Sequence, residues 1–295
     1  MKLQFSGHDS FICKHFWLKK GFDFLIKGER GFNDDLSVVD LGVGKNMVTA
    51  ISYWLKAYGI SNQNNEITAL GLQLFNDQYG WDPYLEDLGS IWLLHYSLAK
   101  SNKASIYNLF FNEFRRDRLS FTKEQFSNFL QRKLKSVDQN NVNANTVNGD
   151  ILVFIRNYLP PGFRNKKIDV EDEFSNLFID LQLMDSYQSE NAEGKLVEWY
   201  RVANDERLDL PAAIVLFSIL DNDSYSHSIS FKELLTGVNS PGAVFALSDD
   251  GLYNKIEQMQ AAYPDIRYTE SAGIRELQFK TKPDKWKILN DYYKS

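Results

Sequence analysis

The sequence predicts a mainly α chain with small β hairpins, an α+β fold. Three observations predict it. Val48, Ile51, Trp54 and Leu55 form one apolar helical stripe. Thr122 with Gln125 makes a capping box. Two short extended runs, Ile266–Tyr268 and Glu276–Phe279, are placed to pair around SAG as a hairpin.

In chain order, residues 12–26 predict a short helix that stops at Gly21. Asn33-Asp34-Asp35 punctuates, and a strong helix follows from about Asn46 to Tyr58, ended by Gly59. Thr68 opens a second helix carrying Leu70, Leu72, Leu74 and Phe75. Residues 87–99 form a third, and Ile106–Phe114 a fourth, which RRDR closes with favourable charge. The fifth runs from Thr122 to about Lys135. The asparagine-rich stretch 136–149 reads as a linker or exposed loop. TVNGDILVFIRNYL resumes a helix, which Pro160-Pro161-Gly162 breaks, and VEDEFSNLFIDLQLM is a further amphipathic stretch. From near Asp209 come a buried helix (LPAAIVLFSILD), the strand-like run AVFALS, a helix over Asp249–Tyr263, and the hairpin.

Two helices joined by a polar turn near the start, and helix, strand, helix and hairpin at the end, both suggest winged-helix-like modules. The expected division is a winged-helix-like N-terminal domain (1–120) carrying the motifs, a helical middle (121–205), and a C-terminal winged-helix-like module (206–295).

Hydrophobic residues are 43% and charged residues 24%, the balance of a globular protein. No apolar run is long enough to span a membrane, and MKLQFSGHDSF lacks the apolar stretch of a signal peptide. The single cysteine, Cys13, excludes an intramolecular disulfide and a cysteine-based zinc site. A cytoplasmic location is expected. The net charge of −6 argues against non-specific coating of nucleic acid. Residues 1–120 are balanced, with 13 basic and 13 acidic side chains, so an anionic partner is expected to meet this half.

Chemistry concentrates in three motifs: FSGHDSF at Phe5–Phe11, LGVGKNM at Leu41–Met47, and DPYLEDLGSIWLLHY at Asp82–Tyr96. Gly42, Gly44, Lys45 and Asn46 do not form a nucleotide loop, because Val39 stands where a glycine is needed and Asn46 where Ser or Thr is needed. Two glycines before a helix still leave backbone N–H groups for an anion, and Lys45 adds charge. The competing explanation is a turn that permits close helix packing. His8 suits a general base, a metal ligand, or a hydrogen-bonded structural residue. Asp82, Glu86 and Asp87 suit a magnesium or manganese site, or simply stabilise a helix N-terminus. His95 reads as buried and hydrogen-bonded. Lys14, His15, Lys19 and Lys20 interleave with Phe16 and Trp17, which suits either phosphate contact with base stacking or a solvated helix face.

In this order, FSGHDSF, WLKKG at Trp17–Gly21, LGVGKNMVTAISYW at Leu41–Trp54 and DPYLEDLGSIWLLHY resemble a large bacterial family described as a domain of unknown function. Weaker similarity (NTVNGDILVFIRNY, SPGAVFALSDDGL) covers nearly the whole chain. Lys14 and Ser90 depart from the family's Arg and Thr, which puts a bidentate phosphate contact at Lys14 in doubt. One branch resembles the nickase component of the single-stranded DNA phosphorothioation (Ssp) anti-phage systems. The resemblance implies a DNA-acting protein of a modification and defence cluster. Its implied partners are DNA, a PAPS-reductase-like sulfur-transfer protein and an ATP-using protein.

On this basis the expected enzyme is a metal-dependent DNA nickase. His8, Glu86 and Asp87 would be catalytic, and Asp82, Glu86 and Asp87 would hold Mg or Mn, with no nucleotide cofactor. Gly42, Gly44, Lys45, Asn46, Lys19 and Lys20 would bind DNA phosphate. The alternative is a non-catalytic winged-helix subunit that binds DNA and recruits the sulfur-transfer partner.

Overall fold

The computed structural model describes residues 2–139, 141–160, 176–190 and 194–295. Helix α1 (Trp17–Lys27) buries Trp17, Leu18 and Phe22 and runs straight through Gly21, where the sequence predicts a stop. Close packing explains the difference. A Cβ on Gly21 would lie 2.7 Å from both Ile51 Cγ2 and Leu55 Cδ1, so glycine lets α1 press onto α3 (Lys45–Ala57). The helix ends instead at Gly28, whose φ of 64° only glycine adopts freely. A one-turn helix, α2 (Ser37–Leu41), precedes α3. Leu41 packs with Phe24 and Val48 in a small satellite cluster that seats α2.

Thr68 caps α4 (Ala69–Phe75) by accepting from the Gly71 N–H. Helix α5 (Leu88–Lys100) is apolar on almost every side and is buried continuously from Gly89 to Tyr96, which makes it central to the core. Helix α6 (Ser105–Leu109) passes into a π-helical turn (Phe110–Phe114) and then α7 (Arg115–Asp117). The capping box of Thr122 and Gln125 opens α8 (Lys123–Ser136), and Asn143 caps α9 (Ala144–Tyr158).

Strand β1 (Ser120–Phe121) joins a hairpin of β2 (Asp185–Glu190) and β3 (Leu196–Arg201) in an antiparallel sheet of order β1-β3-β2. Nothing in the sequence announced β2, because every residue of DSYQSE is exposed and no apolar alternation exists to read. The amphipathic stretch VEDEFSNLFIDLQLM lies partly outside the described residues; its remainder holds a 3-10 turn, Ile179–Leu181, rather than a long helix.

The last third runs α10 (Ala212–Leu220), β4 (Ser228–Ser230), α11 (Phe231–Thr236), α12 (Pro241–Val244), α13 (Asp249–Ala262), β5 (Ile266–Ser271), β6 (Ile274–Phe279) and α14 (Lys285–Tyr292). The second antiparallel sheet has the order β4-β6-β5, and Ala272-Gly273 turn the expected hairpin. AVFALS is not a strand. Ser240 accepts from the Ala243 N–H and Pro241 occupies the first helical turn, so a helix-start signal overrides the apolar run. At the other end of the chain, residues 2–117 hold helices and an isolated bridge between Ser61 and Ile67, with no strand hairpin among those described.

One contiguous core joins Trp54, Trp92, Phe110, Phe154, Leu216 and Leu289, and so crosses all three expected segments. No helix of the described residues is long and apolar enough to cross a membrane.

Candidate nucleic-acid interface

Helix α1 buries one face, and its other side carries Lys20 and Lys27 one helical face apart. These lysines, with Lys19, Arg30, Phe16 and Tyr84, line a cleft of about 510 Å³ between α1, the end of α2 and the loop before α5. Three of the four sequence motifs therefore meet here: WLKKG, the start of LGVGKNM, and DPYLED. His15 Nε2 lies 2.9 Å from the Tyr84 carbonyl and ties that loop to the start of α1. Phe16 and Tyr84 are 62% and 55% exposed, so their ring faces are open for stacking.

Three of the four cations of the cleft, Lys19, Lys20 and Arg30, are already engaged. Lys19 Nζ lies 2.5 Å from Asp23 Oδ1 and 2.7 Å from Asp77 Oδ1. Burial would lower its pKa, but these two carboxylates outweigh burial and hold it above the ordinary lysine range. Lys20 donates to the Leu41 carbonyl at 3.1 Å, and Arg30 pairs with Asp40 at 2.6 Å. An incoming phosphate would compete with the partly exposed Arg30–Asp40 pair, which costs little to exchange, whereas Lys19 is buried and held by two carboxylates.

The glycine loop beside the cleft has the geometry its sequence suggested. Gly42 turns at φ 60°, and Gly44 sits extended at the N-terminus of α3. The backbone N–H groups of Lys45 and Asn46 have no protein acceptor among the described residues. The Lys45 side chain is 86% exposed and reaches Asp35 only at 3.7 Å. Gly42, Gly44, Lys45 and Asn46 thus form an open positive helix end on the flank of Lys20.

The three carboxylates of DPYLED have separate fates. Asp82 is buried and accepts from the N–H groups of Glu86 (2.9 Å) and Asp87 (3.0 Å). Asp87 caps α5 through the Gly89 N–H at 2.6 Å and accepts from Tyr292 Oη at 2.7 Å. Ser90 meets Tyr293 Oη at 2.9 Å, so α14 clamps this loop from the C-terminal end. Glu86 is exposed and its carboxylate has no partner among the described residues. No group of three metal-ligating side chains converges among the described residues. The donors therefore fit an open magnesium site at most, with Glu86 as its protein ligand and substrate oxygens and water completing the shell.

FSGHDSF does not reach the cleft. His8 is buried, its Nε2 3.2 Å from Asp150 Oδ1 and its Nδ1 accepting the Ser10 N–H at 3.2 Å. Its ring stacks on Trp54, whose indole donates to the Phe11 carbonyl. His95 is fully buried between Tyr158 Oη (3.1 Å) and the Val244 carbonyl (2.8 Å). Burial lowers its pKa to about 4 against the pull of the Val244 carbonyl, with Arg207 and Arg115 pushing the same way as burial. A depressed histidine stabilises the fold above its unfolded value of about 6.5 and loses that contribution as pH falls toward 4. On the order of 3 kcal/mol is expected to vanish over this window. Denaturant unfolding at about pH 7 and about pH 5 should show it, with a smaller loss in His95→Gln. Equal losses would remove the assignment.

Lys27, Arg30 and Tyr84 were not singled out by sequence. Lys27 could have been, since it follows Lys20 by seven residues on one helix face. Arg30 and Tyr84 lie in turns that carry no periodicity.

A family model described as "Protein of unknown function (DUF4007)" matches residues 5–293. Two solved structures share the fold. A magnesium ion-bound SspB crystal structure has 26% identity and a TM-score of 0.84, and a second SspB crystal structure has 25% identity and 0.82. Each comparison covers 99% of this chain and 88% of the other. No curated protein matches the chain.

Proposed function

From the premise that the chain belongs to the DUF4007 family, we propose that it is the SspB-like, DNA-acting component of an Ssp phosphorothioation and anti-phage system. It binds DNA phosphate and nicks one strand so that sulfur can be incorporated. One observation carries this proposal: WLKKG, Leu41 of LGVGKN and Tyr84 of DPYLED border a single cleft that offers lysines and two exposed aromatic rings. The open N–H groups of Lys45 and Asn46 and the partnerless Glu86 carboxylate lie on the last two of these motifs. Lysines and N–H groups hold the backbone, and Phe16 and Tyr84 stack on bases that have left the duplex.

In this proposal Glu86, exposed and partnerless beside Leu85, acts on the bound strand as a general base or as the protein ligand of a divalent ion. Such an ion would stabilise the charge that develops on the scissile phosphate. Asp82 and Asp87 hold the loop that presents Glu86. His8, with both ring nitrogens occupied, positions FSGHDSF behind α3. The PAPS-reductase-like protein and the ATP-using protein are the expected neighbours in the reaction sequence.

A second reading rests on a specific observation. The buried carboxylates of the motif are consumed by the fold, which is what a binding subunit that recruits the sulfur-transfer protein would show. The helix, strand, three helices and hairpin of residues 212–279 are compatible with a winged-helix-like order for such a role.

Binding of fluorescent single-stranded and duplex DNA, titrated with salt, tests the cleft. Lys20→Glu combined with Lys45→Glu is expected to weaken binding at least about tenfold and to flatten the salt dependence by about one unit per lost phosphate contact. Unchanged affinity and slope would remove the cleft from the proposal.

A further inference from the structure

The RRDR segment at Arg115–Arg118 lies outside the cleft, and two of its arginines line a separate cavity. This cavity, of about 340 Å³, is walled by Phe111, Arg115, Arg116, Leu119, Asn204 and Gly242. Its size falls in the range of small-ligand sites, about 300–1,000 Å³.

Arg115 is 6% exposed. One terminal nitrogen donates to the Ala243 carbonyl at 3.0 Å, another donates to Asn204 Oδ1, and Nε has no partner. It forms no ion pair among the described residues. Burial first, and then the charge of Arg207, lower its pKa to about 10, with no carboxylate to offset them. Lys19, by contrast, faces Asp23 and Asp77, while Arg207, itself bonded only to backbone carbonyls among the described residues and with an orphaned Nε, adds a second buried charge that repels Arg115. Arg116, the next residue, is exposed and has no partner either. No carboxylate lines the cavity. An unmatched buried charge is costly, and an anion arriving from solvent would relieve it.

The backbone adds a third, independent observation. The π-helical turn Phe110–Phe114 leads directly into Arg115, and such turns are rare and concentrate at functional sites. A purely structural brace, Arg115 to the Ala243 carbonyl and to Asn204 Oδ1, accounts for two nitrogens. It leaves the orphaned Nε, the partnerless Arg116 and the carboxylate-free walls without cause.

We propose that this cavity binds a phosphate monoester, with Arg115 as the buried charge and Arg116 as the arginine at its mouth. The two guanidinium groups offer the fork geometry that phosphate oxygens accept. The phosphate comes either from a small phosphorylated molecule or from the 5′ end of a nucleic-acid strand, such as a nick would expose.

Calorimetric titration of the full chain tests this, with inorganic phosphate, a nucleoside monophosphate, and a short oligonucleotide with and without a 5′-phosphate as probes. Phosphate is expected to bind with Kd of about 1 mM or tighter. Arg116→Ala should weaken it about tenfold, measured in a Lys20→Glu, Lys45→Glu background so that the cleft does not contribute. Preference for the 5′-phosphorylated over the 5′-hydroxyl oligonucleotide would assign the site to strand ends. Binding of the monophosphate with no such preference would assign it to a small molecule. Arg115→Lys keeps the charge and loses the fork, and its melting curve reports whether the brace survives. No binding of phosphate by the wild-type chain, or binding that Arg116→Ala and a folded Arg115→Lys both leave unchanged, would overturn the proposal.

Discussion

Glu86→Gln is expected to lower DNA strand cleavage by a factor of about 100 or more, the loss typical of a missing general base or charged ligand. Stability should stay within about 0.5 kcal/mol of wild type, because the carboxylate is exposed and has no partner to lose. The contrast with its neighbours makes the result informative. Asp82→Ala removes acceptors from two backbone N–H groups, and Asp87→Ala removes the α5 cap together with the Tyr292 contact. Each of those variants should lose about 1–2 kcal/mol of stability along with any activity. Conversion of supercoiled plasmid to open circles, with magnesium and with chelator, reads the activity; denaturant midpoints read the stability. Cleavage by Glu86→Gln at the wild-type rate would take Glu86 out of the chemistry.

Asp150→Ala is expected to have the largest effect on stability, a loss of about 3 kcal/mol. Asp150 is 3% exposed, accepts the Ser6 N–H through both oxygens at 3.1 and 3.0 Å, and faces His8 Nε2 at 3.2 Å. Truncation takes the acceptor from the Ser6 N–H and leaves Nε2 of the buried His8 without its partner. It also releases a backbone that is hard to hold. Ser6, Gly7, Asp9 and Ser10 have φ values of 71°, 105°, 44° and 64°, and each non-glycine residue there costs on the order of 1 kcal/mol. Asp150→Asn keeps an acceptor for Ser6 and should lose about half as much. A loss below about 1 kcal/mol for the alanine variant would mean that FSGHDSF holds its shape without α9.

Legibility followed physical cause. Helices with an apolar stripe or a side-chain cap, such as α3 and α8, were readable because period and hydrogen bond are both local. Gly21 misled because a glycine inside a helix looks like a stop, and only the distant side chains of Ile51 and Leu55 explain it. AVFALS misled because burial on all sides carries no period, while the signal that mattered was Ser240-Pro241. Strand β2 had no apolar pattern at all. Among the candidate site residues, LGVGKN was legible down to its open N–H groups, since a glycine turn before a helix fixes them. Asp150 was not, although a lone carboxylate on the face of α9 that holds Val147, Ile151 and Phe154 was a usable signal. The division of labour in DPYLED was invisible, because only folding decides which of three neighbouring carboxylates meets the backbone.

The location of the bound strand is the most direct test of the central claim. Oligonucleotides carrying photoreactive bases, crosslinked to the full chain and mapped by mass spectrometry, would report it. The expected result is crosslinks on Phe16 and Tyr84, lost when Lys20→Glu and Lys45→Glu are introduced. Crosslinks confined to residues 206–295 and unaffected by those substitutions would contradict it.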